Sequence, residues 1–195
     1  ELASCLVGSE MCIRDRGNAH VLHVGIHEGV ITHTVDRPLA LGSITGKINQ
    51  SRRNQISQHH TSVHIVGGSA RKILGSHIWQ AGSYKSEDLA RLDITHFNRL
   101  TRDQLDEIED HANTIVTDNR RILTTVLDRA EADKEYGFSI YQGGPPKHEQ
   151  IRVVEIEGHD IQACGGTHVP NTLEIGEIKI VRSSQVQDGV ERLVI

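Results

Sequence analysis

The sequence predicts an α+β fold: a mostly antiparallel sheet with helices on one face. Three observations support this class. Apolar and polar residues alternate early in the chain, helical spacing begins at Ser51, and short apolar runs separated by glycine turns follow near the C-terminus. With 195 residues, 36% of them hydrophobic, the chain is long enough for one domain with a core, or for one domain and part of another.

The N-terminal part of the chain divides into two segments. Residues 1–16 show neither a secretory pattern nor a clear periodicity and resemble a translated sequencing adapter, so we expect them to be non-native. Residues 17–50 contain an alternating stretch with a turn at Glu28-Gly29, which predicts the remnant of a truncated β-barrel-like subdomain. The main domain is predicted over residues 51–195.

Helical and strand signals alternate through this main domain. Apolar residues and histidines spaced by three and four run from Ile56 to Leu74 and predict a helix, although Gly67-Gly68 weakens the signal. The later predicted elements are a hairpin over 76–84 and 90–94, a helix from the capping box Thr101-Gln104 to Asp118, a strand over 121–127, a short helix from the capping signal Asp128-Glu131 to Gly137, and strands over 151–156, 161–163, 176–182 and 190–195.

Composition narrows the class of protein. The net charge of −5 gives no general basic character, but a local basic patch is enough to bind RNA. No apolar run approaches the roughly 20 residues of a membrane span, so no membrane partner is expected. Three cysteines give no disulfide framework, and since Cys5 and Cys12 lie in the adapter-like segment, Cys164 is the one cysteine left to explain. A cytoplasmic location follows as the expectation.

Two short motifs form a candidate zinc site. His60 and His64 are four residues apart on the predicted helix, so both imidazoles lie on one face. More than a hundred residues later, Cys164 and His168 flank Gly165-Gly166, whose small size lets the backbone turn tightly. Three nitrogens and one sulfur suit tetrahedral Zn²⁺ better than other metals.

Other interpretations of these residues are weaker. Cys164 paired with a histidine could act as a nucleophile, but a cysteine in this glycine turn is better placed to bind a metal. His23 and His27 share the four-residue spacing, yet in a strand they lie roughly 13 Å apart. No glutamate lies between His60 and His64, so the metalloprotease HExxH arrangement is absent. Several further histidines are predicted to be surface residues: His59, His77, His111, His148 and His159.

These segments resemble the editing domain of alanyl-tRNA synthetases, in a form closest to the archaeal type. The resemblance covers the chain from about Gly25 to its end and depends on HHTSVHIVGGSARKILGSHIWQAG, ARLDITHF, CGGTHVPNTLEIGEIKIV and QDGVERLVI. It implies that zinc is held by His60, His64, Cys164 and His168.

The resemblance also implies a reaction, the hydrolysis of tRNA(Ala) that carries serine or glycine. A pocket sized for alanine rejects glycine, or one added hydroxyl, poorly by binding alone, so a second site must cleave the wrong ester. Zinc could activate a water or orient the 3′-terminal adenosine. The candidate catalytic residues are Gln80, Thr61 and Asp93. For Thr61 the alternative is a residue on the helix surface, and for Asp93 it is a strand residue paired with an arginine.

Three alternative functions stay open at this point. No segment corresponds to an ATP-binding aminoacylation domain, so we expect a fragment of a ligase, with ATP a cofactor only of the missing part. A freestanding alanyl-tRNA deacylase and a threonyl-type editing domain are the related alternatives; CGGTH and QDGVERL argue against the threonyl type. A zinc-stabilised RNA-binding module without catalysis is the third, and its candidate phosphate contacts are Arg52, Arg53, Arg71, Lys72 and Lys85. The sequence leaves the oligomeric state unknown.

Overall fold

The computed structural model describes residues 15–16, 19–28, 30–42, 46–142, 144 and 149–195. The chain divides into two units, residues 1–56 and 57–195. Residues 1–14 of the adapter-like segment lie outside the described residues, so its non-native origin stays a prediction.

The described residues of the first unit contain four strands: β1 Asp15–Arg16, β2 Ala19–His27, β3 Val30–Val35 and β4 Gly46–Lys47. They form an antiparallel sheet in the order β3-β2-β1-β4. The predicted hairpin around Glu28 is present as the β2–β3 pair, and Glu28 has the positive φ of 50° that suits a tight turn. The truncated barrel remains a prediction.

Helix α1, Gln50–Leu74, confirms the longest predicted helix and passes through Gly67-Gly68 without a break. All residues from His60 to Ala70 are buried, so tertiary packing outweighs the low helix propensity of the two glycines. A Cβ at Gly68 would lie 3.1 Å from Cβ of Asp160, so a glycine there lets another strand approach the helix closely. Within the described part of the chain, no helix has both the length and the apolar character to cross a membrane.

The second unit continues after α1 with further helices and strands: β5 Gln80–Lys85, β6 Ala90–Thr95, α2 Arg102–Thr117, β7 Ile122–Asp128, α3 Arg129–Tyr136, β8 Gln150–Ile156, β9 Asp160–Ala163, β10 Arg182–Gln187 and β11 Val190–Val194. Its strands form two antiparallel sheets, in the orders β10-β11-β6-β5 and β7-β8-β9. The α+β class with antiparallel strands is therefore confirmed, but the strands are divided between two sheets where a single sheet was expected.

The main core of this unit lies between α1, α2 and the first of these sheets. Val66 of α1, Ile108 and Ile115 of α2, Leu92 of β6 and Leu193 of β11 are all fully or almost fully buried in one cluster. Burying side chains of this size contributes about 1.5–3 kcal/mol each. This cluster fixes the position of α1, which carries the predicted histidine pair.

The two predicted helix caps differ in outcome. The capping box at Thr101 is present, with the Thr101 side chain accepting from Gln104 N and the Gln104 side chain accepting from Thr101 N. Asp128 is the N-cap residue of α3, but its side chain forms no capping hydrogen bond, so that part of the prediction is wrong. The predicted helix end at Gly137 is confirmed, and Gly137 has the positive φ of 67° typical of such ends.

The strand predicted over 176–182 is wrong for all but its last residue. The backbone of Ile178 bonds to the side chain of Asn113 through both N (2.9 Å) and O (2.8 Å), and Ile180 N donates to Glu109 Oε2 at 2.7 Å. Since α2 side chains satisfy these backbone groups, the segment does not join a sheet until β10 begins at Arg182.

Candidate metal centre

The four predicted ligands converge in the second unit. His60 and His64 lie one turn apart in the buried part of α1, while Cys164 and His168 lie in the loop that follows β9. One ligand atom from each residue can be chosen so that all four atoms lie within 4.8 Å of one another. The helix and the loop therefore bring together residues more than a hundred positions apart, as the spacing predicted.

Individual distances show how tightly the cluster is packed. Cys164 Sγ lies 3.4 Å from His60 Nε2, and the ring centroids of His60 and His168 are 4.2 Å apart. The His64 ring centroid lies 5.1 Å from that of His60 and 4.6 Å from that of His168. Among the described residues, this is the single group of three or more histidine, cysteine or acidic side chains that could hold a metal ion.

Position 166 has no room for a side chain, so only glycine fits there. A Cβ at this position would lie 2.1 Å from Cε1 and 2.5 Å from Nδ1 of His60, far closer than side-chain atoms approach one another. By contrast, a Cβ at Gly165 would meet nothing within 4 Å. The second glycine of the motif therefore lets the loop close over the His60 ring, while the first is sterically unconstrained.

Hydrogen bonds fix the tautomers of two of the three imidazoles. His60 Nδ1 lies 3.2 Å from the Thr167 carbonyl oxygen, which only accepts, so Nδ1 carries the proton. The Thr61 hydroxyl donates to Ser57 O at 2.8 Å and therefore accepts from His168 Nδ1 at 3.1 Å. In both rings Nε2 keeps its lone pair, and His168 Nε2 is buried without a hydrogen-bond partner among the described residues.

All three histidines are held in the neutral form. Burial is the main cause: it lowers the pKa of His64 to about 3 and those of His60 and His168 well below their usual value. The charges of Lys85 and Arg152 lower all three pKa values further. Metal ions bind neutral imidazole, so at neutral pH no proton has to leave these rings before a metal binds.

Arg152 of β8 holds the loop that carries the cysteine. Its Nη1 donates to the carbonyl oxygens of Cys164 (2.7 Å) and Gly166 (2.8 Å), and its own carbonyl accepts from Cys164 N at 2.9 Å. A charged donor shared by two carbonyls fixes the loop more firmly than a neutral one would. No local pattern around Arg152 indicates this role, since an arginine in a strand is usually a surface residue.

The predicted catalytic residues have different surroundings. Thr61 is completely buried, so the alternative of a helix-surface residue is wrong, and its hydroxyl contacts the candidate ligand His168. Gln80 is half-buried at the start of β5, where its backbone N–H donates to Gln142 Oε1 at 3.0 Å. Asp93 accepts two hydrogen bonds from Arg192, at 2.8 and 2.9 Å. The structure therefore agrees with the alternative prediction for Asp93, a strand residue paired with an arginine. Catalytic roles for all three residues stay predictions.

Other polar residues lie near the cluster; some were predicted from the sequence to contact phosphates, and the others were not predicted to have a role. Lys85, considered as a phosphate contact, is half-buried, and its Nζ donates to Ser83 Oγ at 3.0 Å. Arg71, considered in the same way, donates to Asp160 Oδ1 at 3.0 Å. Asp160 and Gln162 occupy the two buried positions of β9, and polar residues at alternate inward positions of a strand were a usable signal for them.

The histidines predicted to lie at the surface are mostly half-buried and hydrogen-bonded. His59 contacts Ser86 O at 2.7 Å, and His159 contacts Ile65 O at 3.0 Å. His77 bonds to His96 at 2.9 Å and His111 to Ser69 at 2.9 Å. The surface prediction is thus wrong for these four, because their ring nitrogens satisfy buried polar groups; His148 lies outside the described residues.

The residues present fit a zinc ion. Three imidazoles with buried or inward-facing nitrogens and one thiol form a donor set of the kind that tetrahedral Zn²⁺ prefers. The fixed Nδ1 protons of His60 and His168 match the usual arrangement, in which the nitrogen that does not bind the metal donates to a carbonyl or another acceptor.

Comparisons with known proteins identify similar sequences across most of the chain. Residues 151–194 match the family described as the threonyl and alanyl tRNA synthetase second additional domain. The chain is similar to the alanine–tRNA ligases of Methanosarcina barkeri (47% identical, 89% of this chain and 19% of the relative), Pyrococcus furiosus (49%, 85% and 18%) and Methanococcus aeolicus (45%, 91% and 20%). It therefore spans about a fifth of the length of these curated relatives.

Proposed function

We propose that this chain is the editing part of an archaeal-type alanine–tRNA ligase, because residues 151–194 match the threonyl and alanyl tRNA synthetase second additional domain and most of the chain is similar to archaeal alanine–tRNA ligases. Its reaction is the hydrolysis of the ester between tRNA(Ala) and a wrongly attached serine or glycine. Its partner is mischarged tRNA(Ala), its cofactor is Zn²⁺, and its cellular location is the cytoplasm. Residues 51–195 form the editing domain.

The observation that carries this proposal is the cluster of His60, His64, Cys164 and His168. When bound there, zinc supplies positive charge that orients the 3′-terminal adenosine or activates a water for attack on the ester. The chain's own residues hold the site ready. Their neutral imidazoles need no deprotonation, and the buried surroundings of α1 keep bulk water away from two of the ligands.

Discrimination between serine and alanine needs a polar group that meets the substrate hydroxyl. A site that hydrogen-bonds a hydroxyl rejects the analogue that lacks it far more strongly than an apolar pocket rejects an extra group. Gln80 offers an amide donor and acceptor without being a candidate ligand, so we assign the serine hydroxyl to it. Thr61 acts through His168: its hydroxyl oxygen accepts a hydrogen bond from Nδ1–H and so orients that ring.

Binding of the tRNA must depend on local positive charge. The net charge of −5 gives the chain no general attraction for phosphates. Arg71 is already paired with Asp160, so we do not count it among the phosphate contacts. Affinity for tRNA is therefore expected to be modest and to fall steeply as salt increases.

A deacylation assay tests the proposal. The folded, zinc-loaded chain should release serine from Ser-tRNA(Ala) and glycine from Gly-tRNA(Ala), and leave Ala-tRNA(Ala) largely intact. A Cys164→Ala variant should lose this activity, whereas Cys12→Ala, which removes a cysteine outside the ligand set, should keep it.

The competing function is a zinc-stabilised tRNA-binding module without catalysis. Four protein ligands complete a tetrahedral set, as in structural zinc sites, and this feature favours the alternative. Zinc-loaded chain that binds tRNA(Ala) but cleaves none of the mischarged esters would replace the proposed function with this one. Faster hydrolysis of serine wrongly attached to tRNA(Thr) than of serine attached to tRNA(Ala) would instead indicate the threonyl type.

A further inference from the structure

His64 is the one imidazole of the cluster whose tautomer no close hydrogen bond fixes. Its Nδ1 is buried and, among the described residues, has no hydrogen-bond partner. The nearest acidic group is the carboxylate of Asp160, whose Oδ2 lies 3.8 Å from that nitrogen. Both side chains are almost fully buried, at 4% and 1% exposed.

Asp160 is itself held in place from two sides. Arg71 donates to Oδ1 at 3.0 Å, and Gln162 Nε2 donates to Oδ2 at 2.6 Å. Gly68 makes the approach possible, since a Cβ there would lie 3.1 Å from Asp160 Cβ. His64, Gly68 and Arg71 are spaced by four and three along α1, so one face of the helix is shaped around this carboxylate.

We propose that Asp160 is a positioning residue that orients His64 for the metal, and this inference rests on the proposed zinc site. A buried carboxylate repels the lone pair of a nearby ring nitrogen and attracts its N–H, and low surrounding polarity strengthens that preference. Asp160 thereby keeps the proton on Nδ1 and leaves the Nε2 lone pair for the metal. His64 then matches His60 and His168, whose Nδ1 protons are held by Thr167 O and Thr61 Oγ1.

A purely structural role for Asp160 makes a different prediction. The Arg71–Asp160 ion pair joins α1 to β9, so its loss alone would lower the stability of the metal-free protein and leave zinc affinity unchanged. A positioning role lowers zinc affinity in protein that is still folded. Loss of the acidic partner of a metal-binding histidine typically weakens metal binding about 10–100-fold.

The test measures Zn²⁺ affinity by chelator competition in the full chain and in Asp160→Asn, with folding checked by circular dichroism. The matched control is Asp106→Asn, which removes an exposed carboxylate paired with Arg102 at 2.7 Å. We expect Asp160→Asn to bind zinc about 10–100-fold more weakly than the control. Equal affinities in the two folded variants would overturn the inference and leave the zinc site standing. No zinc binding by the unchanged chain would overturn both.

A second measurement decides the matter if Asp160→Asn does not fold. Long-range ¹H–¹⁵N correlation on the zinc-loaded, unchanged chain reports which nitrogen of each ring carries the proton, with His60 and His168 as internal references. We expect His64 to be protonated at Nδ1 and metal-bound through Nε2, like the other two. The opposite assignment for His64 alone would overturn the role of Asp160.

Discussion

Gly166→Ala should displace His60 from the ligand cluster, because the new methyl group has no room. Its Cβ would lie 2.1 Å from His60 Cε1, about 1.3 Å short of the 3.4 Å at which ordinary contact begins. The loop cannot retreat easily, since Arg152 binds the carbonyl oxygens on both sides of Gly165. A metal–nitrogen bond tolerates only about 0.2 Å of error, so a shift on this scale removes His60 as a ligand.

The expected loss of stability is about 1–3 kcal/mol, as for other overpacked interiors. Zinc affinity should fall by at least about 100-fold, the upper end of the loss caused by removing a metal ligand's hydrogen-bond partner. The assays are urea unfolding of metal-free protein and chelator competition for Zn²⁺. Gly165→Ala is the matched control, because its Cβ would meet nothing within 4 Å and should change both quantities little. If the two variants show the same stability and the same zinc affinity, the conclusion that the loop packs against the His60 ring at Gly166 is contradicted.

Two further predictions concern specificity and pH. Gln80→Ala should slow seryl-ester hydrolysis more than it weakens zinc binding, and an unchanged seryl rate would remove Gln80 from the site. Burial lowers the pKa of His159 to about 4, from 6.5. As pH falls, His159 is therefore protonated in the unfolded chain at a higher pH than in the folded protein. Its contribution to the free energy of unfolding is fully present above pH 6.5 and is lost between pH 6.5 and about 4, by up to about 1.4 kcal/mol per pH unit. In His159→Gln this dependence should shrink by one proton, measured by unfolding in chelator at several pH values; an identical pH profile would contradict the burial of His159.

Local sequence signals predicted the parts of the fold that depend on neighbouring residues. The capping box at Thr101 placed the start of α2, and the change to a helical pattern at Ser51 placed the start of α1 to within one residue. The convergence of His60, His64, Cys164 and His168 belongs to the same group, since HxxxH on a helix and CxxxH in a glycine turn are local geometries; metal binding by them stays a prediction.

Features that depend on distant partners were not readable from the sequence. The segment around Ile178 has the pattern of a strand, but Asn113 and Glu109 of α2 take its backbone hydrogen bonds. Similarly, no residue near Asp160 in the sequence indicates that Asp160 lies beside His64. The two meet because β9 packs closely against α1 at Gly68, and that contact joins distant parts of the chain. The division into two sheets is a long-range property of the same kind.

The most direct measurement of the zinc site is the metal content of the purified, folded chain together with its melting temperature. We expect about one zinc per chain, because the four ligands complete a tetrahedral set. Cys164→Ala and His64→Ala should each lose zinc and melt at a lower temperature, since metal binding also stabilises the fold; Cys12→Ala should match the unchanged chain in both. Full zinc content in both ligand variants would contradict the site on which the proposed function depends.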